Sequence, residues 1–85
     1  MTIKQKPLVH LGGTGRIGLR EQYEAQRLAV FTALETLCQN RPHGRDYYPL
    51  EAGAYEKARK DHEDRINALR SVLRDFEELV EHTYF

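Results

Sequence analysis

Hydrophobic positions recur at helical spacing in two long stretches, separated by a polar and aromatic bend. In the first stretch, Leu19, Tyr23, Val30, Leu34 and Leu37 recur at spacings of three, four and seven. Residues at those intervals share one face of a helix. Ala25, Ala29 and Ala33 add helix propensity and allow a neighbour to approach closely. Leu28 and Phe31 fall off the stripe and suggest a second apolar edge, as an oligomer interface would need. Thr14 is the expected N-cap, so helix 1 is expected over residues 14–39. The second stretch has a seven-residue period. Tyr55, His62, Leu69 and Phe76 form one row, and Ala58, Arg65, Val72 and Leu79 a second. Ile66, Leu73 and Val80 widen the stripe. Helix 2 is expected over 51–82, supported by pairs such as Glu56–Lys60, Asp61–Arg65 and Arg74–Glu78.

Asn40-Arg41-Pro42-His43-Gly44 ends helix 1, because proline cannot continue it and glycine suits a left-handed turn. The connection, residues 40–50, carries Arg45-Asp46-Tyr47-Tyr48-Pro49. Residues 1–13 form an extended arm, in which Leu8-Val9-His10-Leu11 has strand character and Gly12-Gly13 ends it. The expected fold is all-α: an antiparallel two-helix hairpin with an N-terminal arm, forming a single domain over residues 1–85.

Eighty-five residues change this picture in one respect. A core of this size rarely supplies more than roughly 3–5 kcal/mol. The single cysteine, Cys38, forms no internal disulfide, and the four histidines make no tight zinc-type pair. Self-association is the remaining means of stabilisation, so an oligomer is expected. The formal net charge is zero, with 13 basic and 13 acidic residues. That balance argues against nucleic acid as a partner. The halves differ: residues 1–50 carry seven Lys/Arg against four Asp/Glu, and residues 51–85 six against nine. No stretch approaches a membrane span. A free cysteine and no export signal fit a cytoplasmic location.

Gly13-Thr14-Gly15-Arg16-Ile17-Gly18 matches the GxGxxG pattern. The dinucleotide fold nevertheless needs a second parallel strand after the helix, ending in an acidic residue. Here another long helix follows, so the match is set aside. A weaker phosphate-binding reading survives, with Thr14, Arg16 and Arg20 at a glycine-rich helix start. The bland alternative is a flexible turn with solvated arginines. At the bend, Arg45 offers a fork for phosphate and Tyr47 and Tyr48 offer flat faces for a base. The bland alternative is that a tyrosine closes the end of the core. His62 and Arg65, one turn apart, face either a ligand or a buried polar layer. No nucleophile–base–orienter set can be assembled, so neither catalysis nor a cofactor is expected.

The order Leu11-Gly12-Gly13-Thr14, Glu21-Gln22-Tyr23, Pro42-His43-Gly44-Arg45-Asp46-Tyr47-Tyr48 and Asp61-His62-x-x-Arg65 resembles a family of small helical proteins of phage and prophage genomes. The resemblance covers about residues 9–80, and Gly-Arg-Asp-Tyr-Tyr is its most specific part. The chain departs from it at His43, where asparagine is expected, and at Asp61, where glutamate is expected. The resemblance implies a phage setting, with a host-cell cytoplasmic location, and little chemistry; antagonism of host defence is expected by analogy with other small phage proteins. The expected function is then a non-enzymatic homo-oligomer that sequesters an anionic nucleotide second messenger. The glycine-rich start and the bend lie at opposite ends of one hairpin, about 30 Å apart by helix rise, so only an antiparallel dimer would bring them together in two composite sites. There Arg16, Arg20 and Arg45 would hold phosphate, Tyr47 and Tyr48 would stack on the base, and His62 and Arg65 would add polar contacts. The alternative is a protein–protein inhibitor or adaptor with no small-molecule ligand.

Overall fold

Two helices pack against each other in a computed structural model that describes residues 5–8 and 15–84. Helix α1 spans Arg16–Gln39 and helix α2 spans Ala54–His82, with a single 3-10 turn, Gly44–Asp46, in the bend. Among the described residues there is no strand. The expected N-cap Thr14 and most of the expected strand at 8–11 lie outside the described residues. Gly15 takes the N-cap position in extended conformation, without a side-chain cap.

Helix α2 begins three residues later than its periodicity suggests. Leu50 and Ala54 close successive turns onto Tyr47 and Glu51. Gly53 then enters the helix at φ 91°, a left-handed conformation that side chains resist. The left-handed glycine is therefore Gly53 and not Gly44, which sits inside the 3-10 turn.

The core is a thin seam. Leu19, Ile66 and Val80 are buried, and Ile66 is completely enclosed. Tyr23, Val30, Leu34 and Leu37 of α1 and Leu69, Leu73 and Phe76 of α2 are half-buried beside them. The axis of the α2 stripe is thus the Ile66–Leu73–Val80 row flanked by His62, Leu69 and Phe76. The row through Arg65 and Val72 lies at the exposed margin, not in the interior. Two helices enclose only one seam between them, so a stripe wider than that leaves one edge in water. Leu28 and Phe31 are exposed, but Glu24 and Glu35 interleave with them at helical spacing. They do not form a continuous apolar edge.

The molecule measures 61 × 24 × 16 Å, one helix layer thick, with a radius of gyration of 18.2 Å. A compact chain of this length has a radius of about 12 Å. Its accessible surface is 6713 Å², against about 5,200 Å² for a compact monomer of this mass. No described helix is long and apolar enough to cross a membrane.

Polar contacts fasten both ends of the hairpin. At the open end, Arg20 donates from Nε to the Thr83 hydroxyl (3.1 Å) and from Nη2 to the Thr83 carbonyl (3.0 Å), while Arg16 donates to the same carbonyl (3.0 Å). The Thr83 hydroxyl donates in turn to the Val80 carbonyl, and Thr83 is fully buried. Arginines in the first turn of α1 oppose that helix's own dipole. Here they sit against the negative C-terminus of α2, whose last carbonyls lack helical partners. The Arg20 guanidinium also lies 3.7 Å over the Tyr84 ring. His82 donates to the Pro7 carbonyl (2.9 Å), tying the N-terminal segment to the end of α2.

Candidate functional site

A groove of about 620 Å³ lies on one side of the bend. Its walls come from the chain leaving α1 (Asn40, His43), the turn (Tyr47) and the first half of α2 (Lys57, His62, Arg65). The bend holds its shape through local chemistry. The His43 ring accepts a hydrogen bond from the Arg45 backbone and caps the 3-10 turn. Tyr47 turns inward against Tyr55, with ring centroids 6.2 Å apart and planes tilted by 43°. Arg41 reaches across to an ion pair with Glu63 on α2.

His62 anchors the groove floor. It is buried, and its Nε2 donates to the Leu37 carbonyl at 2.7 Å. A carbonyl only accepts, so the contact puts a proton on Nε2. Leu37 lies in the last turn of α1, and its carbonyl, which also accepts the Asn40 backbone N–H at 3.3 Å, has a second lone pair for the ring. The histidine that breaks the apolar row of α2 is therefore a C-terminal cap for the neighbouring helix. It ties the two helices in one register.

Of the residues expected to bind a ligand, Tyr47, His62 and Arg65 line this groove. Arg45 and Tyr48 are exposed and lie outside its walls; Tyr48 is 88% exposed. The adjacent tyrosines thus part, one toward the core and one to solvent. Arg16 and Arg20 are about 30 Å away by helix rise, engaged with Thr83. Thr14 lies outside the described residues.

Sequence reasoning did not anticipate the Lys57–Asp61 pair (2.9 Å), the Lys60–Asp64 pair (3.1 Å) or the cross-helix Arg41–Glu63 bridge. Asp61 takes Lys57, not Arg65, and Lys60 takes Asp64, not Glu56. Asp61 has both Lys57 and Arg65 within helical reach and Lys60 has both Glu56 and Asp64, and spacing alone does not choose between them. Thr83 carried no sequence signal beyond its place after a helix end. The groove's basic groups Arg41, Lys57 and Arg65 face the acidic Asp46, Glu51 and Asp61, so its lining charge balances. Among the described residues, no three His, Cys, Asp or Glu side chains converge as a metal site.

The chain matches no protein-family model, no curated protein and no solved structure.

The ion pairs around the groove make it sensitive to acid. A hydrogen bond from Arg41 holds the Glu63 carboxyl below its ordinary range, and one from Lys57 does the same for Asp61. A depressed carboxyl stabilises the fold above its unfolded-state value, and that contribution is lost as pH falls through its folded-state value. The melting temperature is expected to decline as pH drops below the ordinary carboxylate range. Glu63→Gln should flatten that decline and leave the neutral-pH melting temperature only slightly lower, because the pair is solvent-exposed. An unchanged acid limb in the variant would show that Glu63 does not fasten the bend.

Proposed function

We propose that this chain is a non-enzymatic binding protein that works as a homo-oligomer through its helical surfaces, as an interaction inhibitor or adaptor. The observation that carries this reading is the single-layer architecture. A hairpin 16 Å thick with three buried hydrophobic side chains among the described residues leaves apolar surface for another chain to cover. Exposed Val72 (38%) and the alanines beside it are consistent with such a surface. The phage setting suggested by the bend motif is compatible with an inhibitor of a host protein.

One observation favours a second reading, capture of an anionic nucleotide. Tyr47, His62 and Arg65 share a groove whose volume lies within the range of small-molecule sites. Against it, Arg41 and Lys57 are already paired with acids, and Arg16 and Arg20 serve the end of α2. Arg65 is then the cation best placed to meet a phosphate.

Light scattering of the full chain at micromolar concentration, followed by a thermal-shift panel of cyclic and linear nucleotides, tests both. The first reading expects an oligomer with no nucleotide shifting the melting temperature. A shift of several degrees with one nucleotide, abolished by Arg65→Ala and Tyr47→Ala, would replace it with the second. A monomer without nucleotide response would sink both.

A further inference from the structure

The groove at the bend carries as many basic as acidic side chains, but half of them are spent within the chain. Lys57 bonds Asp61 at 2.9 Å, and Arg41 bonds Glu63. Among the described residues, the side chains of Arg65, Asp46 and Glu51 make no hydrogen bond or ion pair, though Arg65 lies in the field of Asp61. Those three stand apart. On α2 the groove is lined by Ala54, Lys57, Ala58, Asp61, His62 and Arg65, a single stripe at helical spacing. From Ala54 to Arg65 the stripe runs about 16 Å. Glu51 closes its turn onto Ala54, the first residue of the helix. Asp46 precedes Tyr47, whose ring packs against Tyr55 in the helix's first turn. Both free acids therefore stand at the bend end of the groove, and the free guanidinium stands at the far end.

We infer that the groove takes an extended segment of a partner polypeptide, with a lysine or arginine at the bend end and a carboxylate side chain at Arg65. This rests on the reading of the chain as an interaction inhibitor or adaptor, and it names the chemistry of the segment that is gripped. A span of about 16 Å is covered by about five residues of extended chain. The Arg65 guanidinium presents a planar fork that matches a carboxylate. Asp46 and Glu51 present two acceptors to an ammonium or guanidinium. Between the two ends lie the neutralised Lys57–Asp61 pair and the apolar Pro42, Leu50 and Ala58, which suit uncharged residues of the segment. The His43 ring adds a donor on the wall: its Nδ1 accepts the Arg45 N–H, so the neutral ring carries its proton on Nε2.

Charge decides between such a segment and a nucleotide. A phosphate finds one unpaired cation in the groove, Arg65, and is repelled by the two unpaired acids. A base placed on Tyr47 brings no positive charge to meet Asp46 and Glu51 beside it. A segment with opposite charges at its two ends satisfies all three groups at once. The three side chains are exposed, so these attractions are screened by salt. They choose between partners more than they add affinity.

Fluorescence anisotropy on the full chain at low salt tests the groove with labelled, end-capped hexapeptides whose inner residues are alanine and serine. Two carry lysine and glutamate at opposite ends, in either order; a third carries lysine at both ends, and a fourth glutamate at both. The wild type should bind a mixed peptide at least about fivefold tighter than either like-charged one. Arg65→Glu leaves both ends of the groove acidic and should make the lysine peptide the tightest. Asp46→Lys/Glu51→Lys leaves both ends basic and should make the glutamate peptide the tightest. Circular dichroism should show each variant as helical as the wild type, because the three positions are exposed. Equal binding of all the peptides, binding of none, or tighter binding of a cyclic nucleotide than of a mixed peptide would overturn the inference. An oligomer by light scattering beside such a result leaves the self-association reading standing. A monomer that ranks the peptides as expected sinks self-association and leaves the groove's selectivity intact.

Discussion

Ile66→Ala is expected to abolish cooperative folding at 25 °C. Among the described residues Ile66 is the one large hydrophobic side chain that is completely enclosed, at the middle of the seam between α1 and α2. Truncating a buried isoleucine to alanine typically costs 2–5 kcal/mol, part from lost transfer energy and part from the cavity left behind. A core of this size supplies roughly 3–5 kcal/mol in total, so the loss is comparable to the whole. Far-ultraviolet circular dichroism should show helicity falling toward that of an unfolded chain, and the thermal transition should broaden or vanish. Ile66→Leu, which conserves volume, should cost under about 1.5 kcal/mol and retain a sharp transition. Raising the protein concentration should partly rescue the alanine variant if copies associate, since association stabilises the folded state by mass action. A variant that melts like the wild type would place the core elsewhere.

Arg20→Ala should give the next largest effect, a loss of about 1.5–3 kcal/mol, the usual range for hydrogen bonds to a charged group. The substitution removes two of the three guanidinium hydrogen bonds to Thr83 and the cation over Tyr84. It leaves the buried Thr83 hydroxyl and carbonyl short of donors and frays the last turn of α2. Arg20→Lys should recover only part of the loss. A lysine keeps the charge near the helix end but cannot present Nε and Nη2 together to one residue. Arg16→Ala removes a single bond and should cost less. Chemical denaturation measures all three. Were Arg20 instead held in reserve for a phosphate, its removal would leave stability untouched, and that outcome would return it to the list of ligand contacts.

Helix positions and types were legible in the sequence because they depend on local periodicity. The spacing of Leu19, Tyr23, Val30, Leu34 and Leu37 and the seven-residue rows of α2 mark the faces that meet. Proline and glycine after Asn40 mark the bend. The margins were less legible. Residues 51–53 were assigned to α2 by pattern, but Gly53 adopts a left-handed entry that periodicity does not encode. Arg65 was counted with the interior row, yet it lies at an exposed edge. A hydrophobic stripe has a width, and which part is covered depends on how many neighbours exist to cover it.

The candidate site divides along the same line. Tyr47, His62 and Arg65 were visible as residue types suited to a ligand, and they do share a groove. Their separation from Arg45 and Tyr48 was not visible, nor was the use of His62 as a cap on the Leu37 carbonyl. Those facts follow from which helix end lies against which. Composition and periodicity by themselves determined two helices, a bend and a core too small to stand in bulk. Tertiary structure alone decided that the arginines at the start of α1 close the end of α2, and that His62 closes the end of α1. The reason is physical: propensity and spacing act through neighbours within a turn or two. Capping across helices and the pairing of charges between them depend on contacts between residues 22 to 67 positions apart, such as Arg41 with Glu63 and Arg16 with Thr83.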